Sequence, residues 1–314
     1  VASSSRSKRK TRGNPAKTPT RHIPRPTVGD WINAARLRTL PLAITPVLIG
    51  TGAAHIIDVR FHWLLALGCL LIAVFLQIGV NFANDYSDGV RGTDDVRVGP
   101  ARLTASRAVT PRTVLVVALS FFALAGLVGL ALVIRTGQWW MLVVGVACIL
   151  AAWYYTGGKR PYGYHALGEV FVFVFFGPVA TVGTTWIQVQ AAPQEAWLGG
   201  IAAGLLAVAV LVANNLRDID QDRAAGKKTL SVVIGRRGSQ ILFTACIVLA
   251  FGLAAWLALF YPIAWLVQLA LLGGIPALLI VWMYRDPREL VVALGVTSLT
   301  SVGYGALLMW AYIG

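Results

Sequence analysis

Nine apolar runs, each near 20 residues, divide this chain of 314 residues. They fall at roughly 39–57, 63–84, 114–134, 139–155, 168–190, 196–215, 239–260, 263–284 and 289–313. A run of that length matches the hydrocarbon thickness of a bilayer, and a helix satisfies its own backbone groups there, so no strand reading competes. The pattern predicts an all-α, polytopic membrane protein with nine transmembrane helices. Composition agrees: 57% of residues are hydrophobic, 13% are charged and mean hydropathy is +0.70. That leaves too little charge to cover a soluble domain of this length.

The net charge of +14 raises the question of nucleic acid, but placement decides it. With the N-terminus in the cytoplasm, 25 of the 27 Lys and Arg residues fall on the cytoplasmic side, leaving only Arg60 and Arg135 opposite. This is the asymmetry of a membrane protein with N in and C out, and no nucleic-acid partner is expected. Residues 1–27 are rich in Ser, Arg, Lys, Thr and Pro and lack apolar periodicity. They read as a basic, disordered cytoplasmic tail ahead of a membrane domain at 28–314. The three cysteines sit in separate apolar runs and the four histidines are scattered, so a His/Cys metal site is not expected.

Two polar stretches stand against this background. Asn81, Asn84, Asp85 and Asp88 follow the second run at i, i+3, i+4 and i+7, a spacing that puts all four on one helical face. Asn214, Asp218 and Asp222 follow the sixth run at i, i+4 and i+8, with Asn215 beside them. Of 13 acidic residues, seven lie in these stretches: Asp85, Asp88, Asp94, Asp95, Asp218, Asp220 and Asp222. Both stretches land on the cytoplasmic side. Carboxylates so scarce and so clustered at the mouths of apolar helices require a positive partner. Oxygen-only ligands favour Mg²⁺ or Mn²⁺ over zinc, and such ions carry diphosphate.

Basic residues interleave with the acids: Arg91, Arg97, Arg102 and Arg107 after the first stretch, and Arg217, Arg223, Lys227 and Lys228 around the second. Arg217 and Lys227 lie within a turn or two of Asp218 and Asp222, which makes them the stronger diphosphate candidates. A third cytoplasmic segment, Trp153 to Tyr164, joins runs four and five. Its aromatic residues suit an interface belt. Alternatively Tyr155 and Thr156 reach the diphosphate while Gly157 and Gly158 let the backbone approach. Glu169 reads as a charge at a helix N-terminus, with an acceptor contact or a base role as the alternative.

With these residues in place, the membrane part resembles the UbiA-type superfamily of intramembrane prenyltransferases over essentially its whole length. The first motif is AsnAspxxAsp at 84, 85 and 88; Gly92 stands where many members carry a further Asp, followed by Asp94. AsnAspTyrSerAspGlyValArgGlyThrAspAsp, Tyr155-Thr156-Gly157-Gly158 and AsnAsnxArgAspxxxAsp are similar to the 1,4-dihydroxy-2-naphthoate branch of menaquinone synthesis. The ArgThrxxArgPro signature of the 4-hydroxybenzoate and haem O branches is missing after the first motif. The resemblance implies nine helices around a central cavity in a bacterial plasma membrane, with the site facing the cytoplasm. It implies that Asn84, Asp85, Asp88, Asp218 and Asp222 hold Mg²⁺, supported by Asn81 and Asn215. Arg217, Lys227, Tyr155, Thr156 and the basic residues Arg91, Arg97, Arg102 and Lys159 would then grip a polyprenyl diphosphate. The acceptor would be 1,4-dihydroxy-2-naphthoate, prenylated with loss of CO₂ and diphosphate to give demethylmenaquinol.

Two other readings use the same residues. One is an enzyme of this scaffold with a different aromatic acceptor. The other is a secondary transporter or divalent-cation channel with acidic gates. Transporters hold ionisable sites near the bilayer midplane on broken helices, whereas these acids gather at one face.

Overall fold

The computed structural model describes residues 26–93 and 102–314. The basic tail through residue 25, together with Asp94, Asp95 and Arg97, lies outside the described residues. The chain runs through helices α1 Val28–Ala34, α2 Pro41–Ile57, α3 Trp63–Arg91, α4 Pro111–Thr136, α5 Met141–Tyr154, α6 Gly168–Val174 and α7 Ala180–Val189. It continues through α8 Gln194–Arg217, α9 Ile219–Ala224, α10 Leu230–Leu257, α11 Leu271–Met283 and α12 Glu289–Ile313.

Local chemistry sets the ends of these helices. Thr27 and Asp30 form a reciprocal capping box at the start of α1. Pro41 and Pro111 occupy first-turn positions of α2 and α4, where a missing N–H costs nothing. Helix α3 stops at Gly92 and α4 at Gly137, both left-handed. Between α6 and α7 a π-turn over Phe175–Val179 contains Gly177 and Pro178, which break the ladder.

Each of the nine apolar runs falls on helix, and the chain is a multi-pass membrane protein. The expected count of nine spans is not what helix length supports among the described residues. Seven helical stretches are long and apolar enough to cross a bilayer. They are α3, α4, α8, α10 and α12, with Gly168–Val189 (α6 through the π-turn to α7) and Pro262–Met283 (a 3-10 lead-in and α11) each running as one. Helix α2 makes an eighth only when joined to its lead-in through a 44° bend. Helix α5, on the fourth run, has 14 residues; it rises about 21 Å, short of the ~30 Å hydrocarbon core.

Two apolar clusters flank the interior. The larger gathers Leu206, Val212, Phe243, Ile247, Leu290 and Leu308 from α8, α10 and α12, with Ile49 of α2. The smaller joins Phe82 of α3 to Val114, Ala118 and Phe122 of α4. Helix α8 is the most enclosed of the spans, and its Ala- and Gly-rich sequence is the reason. Hydrogen bonds tie neighbours across lipid depth: Tyr304 donates to the Ala250 carbonyl at 2.8 Å, and the Thr45 and Ser301 hydroxyls meet at 3.0 Å. The space between the two clusters is where the polar stretches arrive.

Candidate functional site

The last turns of α3 and the α8–α9 junction open onto one chamber of about 450 Å³. Asn81, Asn84 and Asp88 line it from α3; Asn214, Asn215, Asp218, Gln221 and Asp222 line it from the opposite side. Arg102, Lys227, Tyr155 and Thr156 complete its polar end. Below them the wall turns apolar and extends along α3 as far as Cys69. Asp88 and Cys69 are about 28 Å apart along the helix axis, nearly the full hydrocarbon depth.

The second motif is shaped by a break in the helix. Helix α8 ends at Asp218, whose backbone leaves helical geometry, and α9 begins at the next residue. The Asp222 N–H donates to the Asp218 carbonyl at 2.8 Å, which holds the two acids one turn apart. Gly226 at φ +73° then reverses the chain, and the Lys227 N–H donates to the Asp222 carbonyl at 2.8 Å. Lys227 is thereby turned back into the chamber. The following residue pairs with the aromatic segment: Lys228 N–H donates to the Tyr164 carbonyl and Ala166 N–H donates to the Lys228 carbonyl.

Cations already hold the carboxylates. Lys227 Nζ lies 3.6 Å from Asp222 Oδ1 and 4.0 Å from Asp88 Oδ2, so one ammonium touches both motifs. Asp88 also faces Arg102 Nη2 at 3.9 Å and accepts a 2.7 Å hydrogen bond from the Tyr164 hydroxyl. Arg217 folds onto Asp218, donating from Nε at 2.7 Å and Nη2 at 2.5 Å, and also donates to Asn214 Oδ1 at 3.0 Å. Burial pushes the Asp222 carboxyl up to about 6; Lys227 opposes this, while the charges of Asp218 and Asp88 add to it. Burial and the Asp88 charge likewise raise the Tyr164 phenol above its usual value.

Several residues depart from expectation. Asp85 does not share the chamber face with Asn81, Asn84 and Asp88. Its oxygens accept the backbone N–H groups of Leu103 (3.0 Å) and Thr104 (2.9 Å), and it is fully buried. A position at i+4 from Asn81 lies at the margin of the polar arc, and the chain after the motif returns to cover that margin. Arg91 reaches away from the chamber, donating to the carbonyls of Thr156 and Gly158 and stacking over the Tyr164 ring. Lys159 is exposed and does not line the chamber. Thr156 donates to Asn84 Oδ1 at 2.6 Å, joining the third segment to the first motif. Glu169 is buried behind Asn215, accepting from its Nδ2 at 2.9 Å, and does not face the chamber.

The sequence reading missed Tyr164 and Arg36. Tyr164 lies inside the aromatic segment, but nothing in its spacing distinguishes it from the tyrosines around it. Arg36 stands at a left-handed kink after α1. It lines both the chamber and an adjoining cavity of about 280 Å³, which also includes Arg38, Arg102, Arg217, Asn33 and Asn214.

Among the described residues, no three acidic, His or Cys side chains converge closely enough to hold a metal as arranged. The donor set nevertheless fits a hard divalent cation. Asp88, Asp218, Asp222 and the motif asparagines offer oxygen. The Lys227 ammonium stands between the two motifs, and it marks the point where their charge demands a cation.

The description "UbiA prenyltransferase family" matches residues 43–312. A Mycobacterium tuberculosis protein named 1,4-dihydroxy-2-naphthoate octaprenyltransferase is 46% identical over 291 residues, covering 90% of this chain and 94% of the relative. An Escherichia coli protein of the same name is 39% identical, covering 73% and 75%. Among solved structures, the apo UbiA homolog of Aeropyrum pernix K1 superposes with a TM-score of 0.65 at 18% identity, covering 87% of this chain and 96% of its own. A UbiA homolog from Archaeoglobus fulgidus, solved with DMAPP and Mg²⁺, gives 0.58 at 16% identity, covering 90% and 99%.

Proposed function

The chain belongs to the UbiA prenyltransferase family, and from that premise we propose that it transfers a polyprenyl group from polyprenyl diphosphate to 1,4-dihydroxy-2-naphthoate. The products are demethylmenaquinol, diphosphate and CO₂. One observation carries the reading: a single ammonium, Lys227 Nζ, lies within 4.0 Å of Asp88 and 3.6 Å of Asp222, so motifs from two distant parts of the chain serve one charge.

A divalent cation, Mg²⁺ or Mn²⁺, when bound neutralises the charge that develops on the departing diphosphate. Asn84, Asp88, Asp218 and Asp222 would hold it, with Asn81 and Asn215 in support. Asp85 instead anchors residues 102–104, and so places Arg102 in the chamber. Arg102, Arg217 and Lys227 turn from their carboxylates to the diphosphate oxygens, beside Tyr155 and Thr156. The isoprenoid tail lies along the apolar wall below. The adjoining cavity presents Arg36, Arg38, Arg102 and Arg217, a set suited to the carboxylate of an aromatic acid. The ring carbon bearing that carboxylate forms the new bond to the allylic carbon as the diphosphate C–O bond breaks. CO₂ then leaves from the same carbon and aromaticity returns.

The lead-in with α2 and the short α5 bring the helices of the bundle to nine. The Lys/Arg distribution supports a cytoplasmic N-terminus, with the polar end of the chamber on that side of a bacterial plasma membrane. The test is to incubate purified protein with radiolabelled polyprenyl diphosphate and dihydroxynaphthoate, with and without Mg²⁺. Metal-dependent prenylnaphthol product is expected. Product from another aromatic acid in place of dihydroxynaphthoate would overturn the acceptor assignment.

A further inference from the structure

Asn215 and Glu169 form a buried pair behind the chamber wall. Asn215, on α8 one turn before Asp218, is 5% exposed and lines the chamber; Glu169, in the first turn of α6, is also 5% exposed and does not line it. Asn215 Nδ2 donates to Glu169 Oε1 at 2.9 Å. A carboxylate accepts and an amide has one donating end, so this bond fixes which end of Asn215 turns outward. The nitrogen is committed to Glu169, which leaves the carbonyl oxygen as the polar end available to the chamber that Asn215 lines. The other motif helix repeats the arrangement: Asn81, one turn before Asn84, donates its Nδ2 to the Ala35 carbonyl at 2.9 Å and lines the same chamber. In each case an acceptor outside the chamber claims the nitrogen.

We propose that Glu169 is a positioning residue that aims the Asn215 carbonyl oxygen at the divalent-cation site, making Asn215 an oxygen donor to the cation rather than an amide donor to diphosphate. This rests on the reading of the chamber as a metal–diphosphate site. Partners behind a ligand orient it, and their loss weakens metal binding by about ten- to a hundredfold. In Glu169→Gln the introduced amide is able to donate as well as accept, so Asn215 no longer has one enforced orientation.

The test measures Mn²⁺ binding to purified protein by electron paramagnetic resonance, without donor or acceptor, alongside binding of inorganic diphosphate in the absence of metal. Glu169→Gln is expected to raise the Mn²⁺ Kd by about tenfold or more while diphosphate binding stays within about twofold. The background of Asn215→Asp supplies the second arm. There two carboxylates face each other, and adding Glu169→Gln restores one hydrogen bond with donor and acceptor exchanged. In that background the same Glu169→Gln change is expected to tighten Mn²⁺ binding. A reversal of sign separates positioning from the simple loss of a negative charge, which weakens binding in both backgrounds. It also keeps the test open should Glu169→Gln alone fold poorly. Unchanged Mn²⁺ affinity, equal loss of Mn²⁺ and diphosphate, or weakening in both backgrounds would overturn the proposal. A wild-type protein that binds Mn²⁺ but does not prenylate dihydroxynaphthoate would refute the acceptor assignment and leave the Glu169 role standing.

Discussion

Lys227 and Asp222 close a turn on each other: the Lys227 N–H donates to the Asp222 carbonyl at 2.8 Å, and its ammonium returns to 3.6 Å from Asp222 Oδ1. The same ammonium reaches Asp88 at 4.0 Å. Arg102 and Arg217 each serve one motif, at Asp88 and Asp218, whereas the Lys227 ammonium lies within 4.0 Å of a carboxylate of both. Lys227 thereby offsets the repulsion between Asp88 and Asp222.

Removing this ammonium separates its two roles. Lys227→Met is expected to lower the thermal stability of the metal-free protein, by about 1–3 kcal/mol, because it removes the cation beside the buried Asp222 and one of the two beside Asp88. Mg²⁺ with inorganic diphosphate should recover more stability in this variant than in the wild type. Melting curves with and without both ions check it; equal melting of variant and wild type in the absence of ions would refute the bridging role.

Asp88→Ala and Asp218→Ala should each lower kcat/KM on the order of a hundred- to a thousandfold, with the protein still assembled in the membrane. Asp85→Ala acts differently. It leaves the N–H groups of Leu103 and Thr104 buried without an acceptor, at about 1–3 kcal/mol for each. The expected signature is faster proteolysis near residues 102–107, with Mn²⁺ affinity less affected than in Asp88→Ala. Kinetics, limited proteolysis and Mn²⁺ titration on the three variants distinguish the roles.

Cation binding should depend on pH through Asp222. Its carboxyl is raised to about 6 in the folded protein, above the ~3.9 of an unfolded Asp. Its protonated form therefore favours folding below about pH 4, and that contribution is lost as pH rises through about 6. The cation needs the carboxylate, so binding works in the opposite direction. Mg²⁺-dependent stabilisation should grow by about 1 kcal/mol from pH 5 to 6, then level off above 7. Thermal shifts at fixed Mg²⁺ across this range test it, and Asp222→Asn should flatten this dependence.

The break between α6 and α7 is expected to tolerate no side chain. A Cβ at Gly177 would stand 2.5 Å from the Gly200 carbonyl and 2.8 Å from Gly204 Cα, all of it backbone. Gly177→Ala should cost about 1–3 kcal/mol by forcing α8 away. Gly145→Ala, with nothing within 4 Å of the added carbon, is the control and should melt as the wild type does.

Much of the protein is legible along the chain. The apolar runs locate every long helix, because in lipid the backbone has no alternative to internal hydrogen bonding. The i, i+3, i+4, i+7 pattern anticipates that Asn81, Asn84 and Asp88 look the same way. Helix periodicity alone left Asp85 among them, since it does not register the loop that returns to claim the margin of the polar face. Proximity in sequence likewise places Arg91 and Lys159 among the candidate ligand contacts. Direction, not proximity, separates Arg102 in the chamber from Arg91 clamped to the neighbouring loop. Helix length alone stops at seven or eight spans among the described residues, because the bend before α2 and the shortness of α5 depend on how neighbours pack.

By itself, then, the sequence determined the solvent this chain folds in, the position of its helices and the chemistry of its two acidic stretches. These follow from local composition and period, which are properties of contiguous residues. Only the tertiary structure decided that α3 and α9 share one ammonium, that Asp85 serves a loop, and that Asn215 donates to Glu169. Those are relations between segments tens to more than a hundred residues apart. Their geometry exists only once packing brings the segments within hydrogen-bond reach.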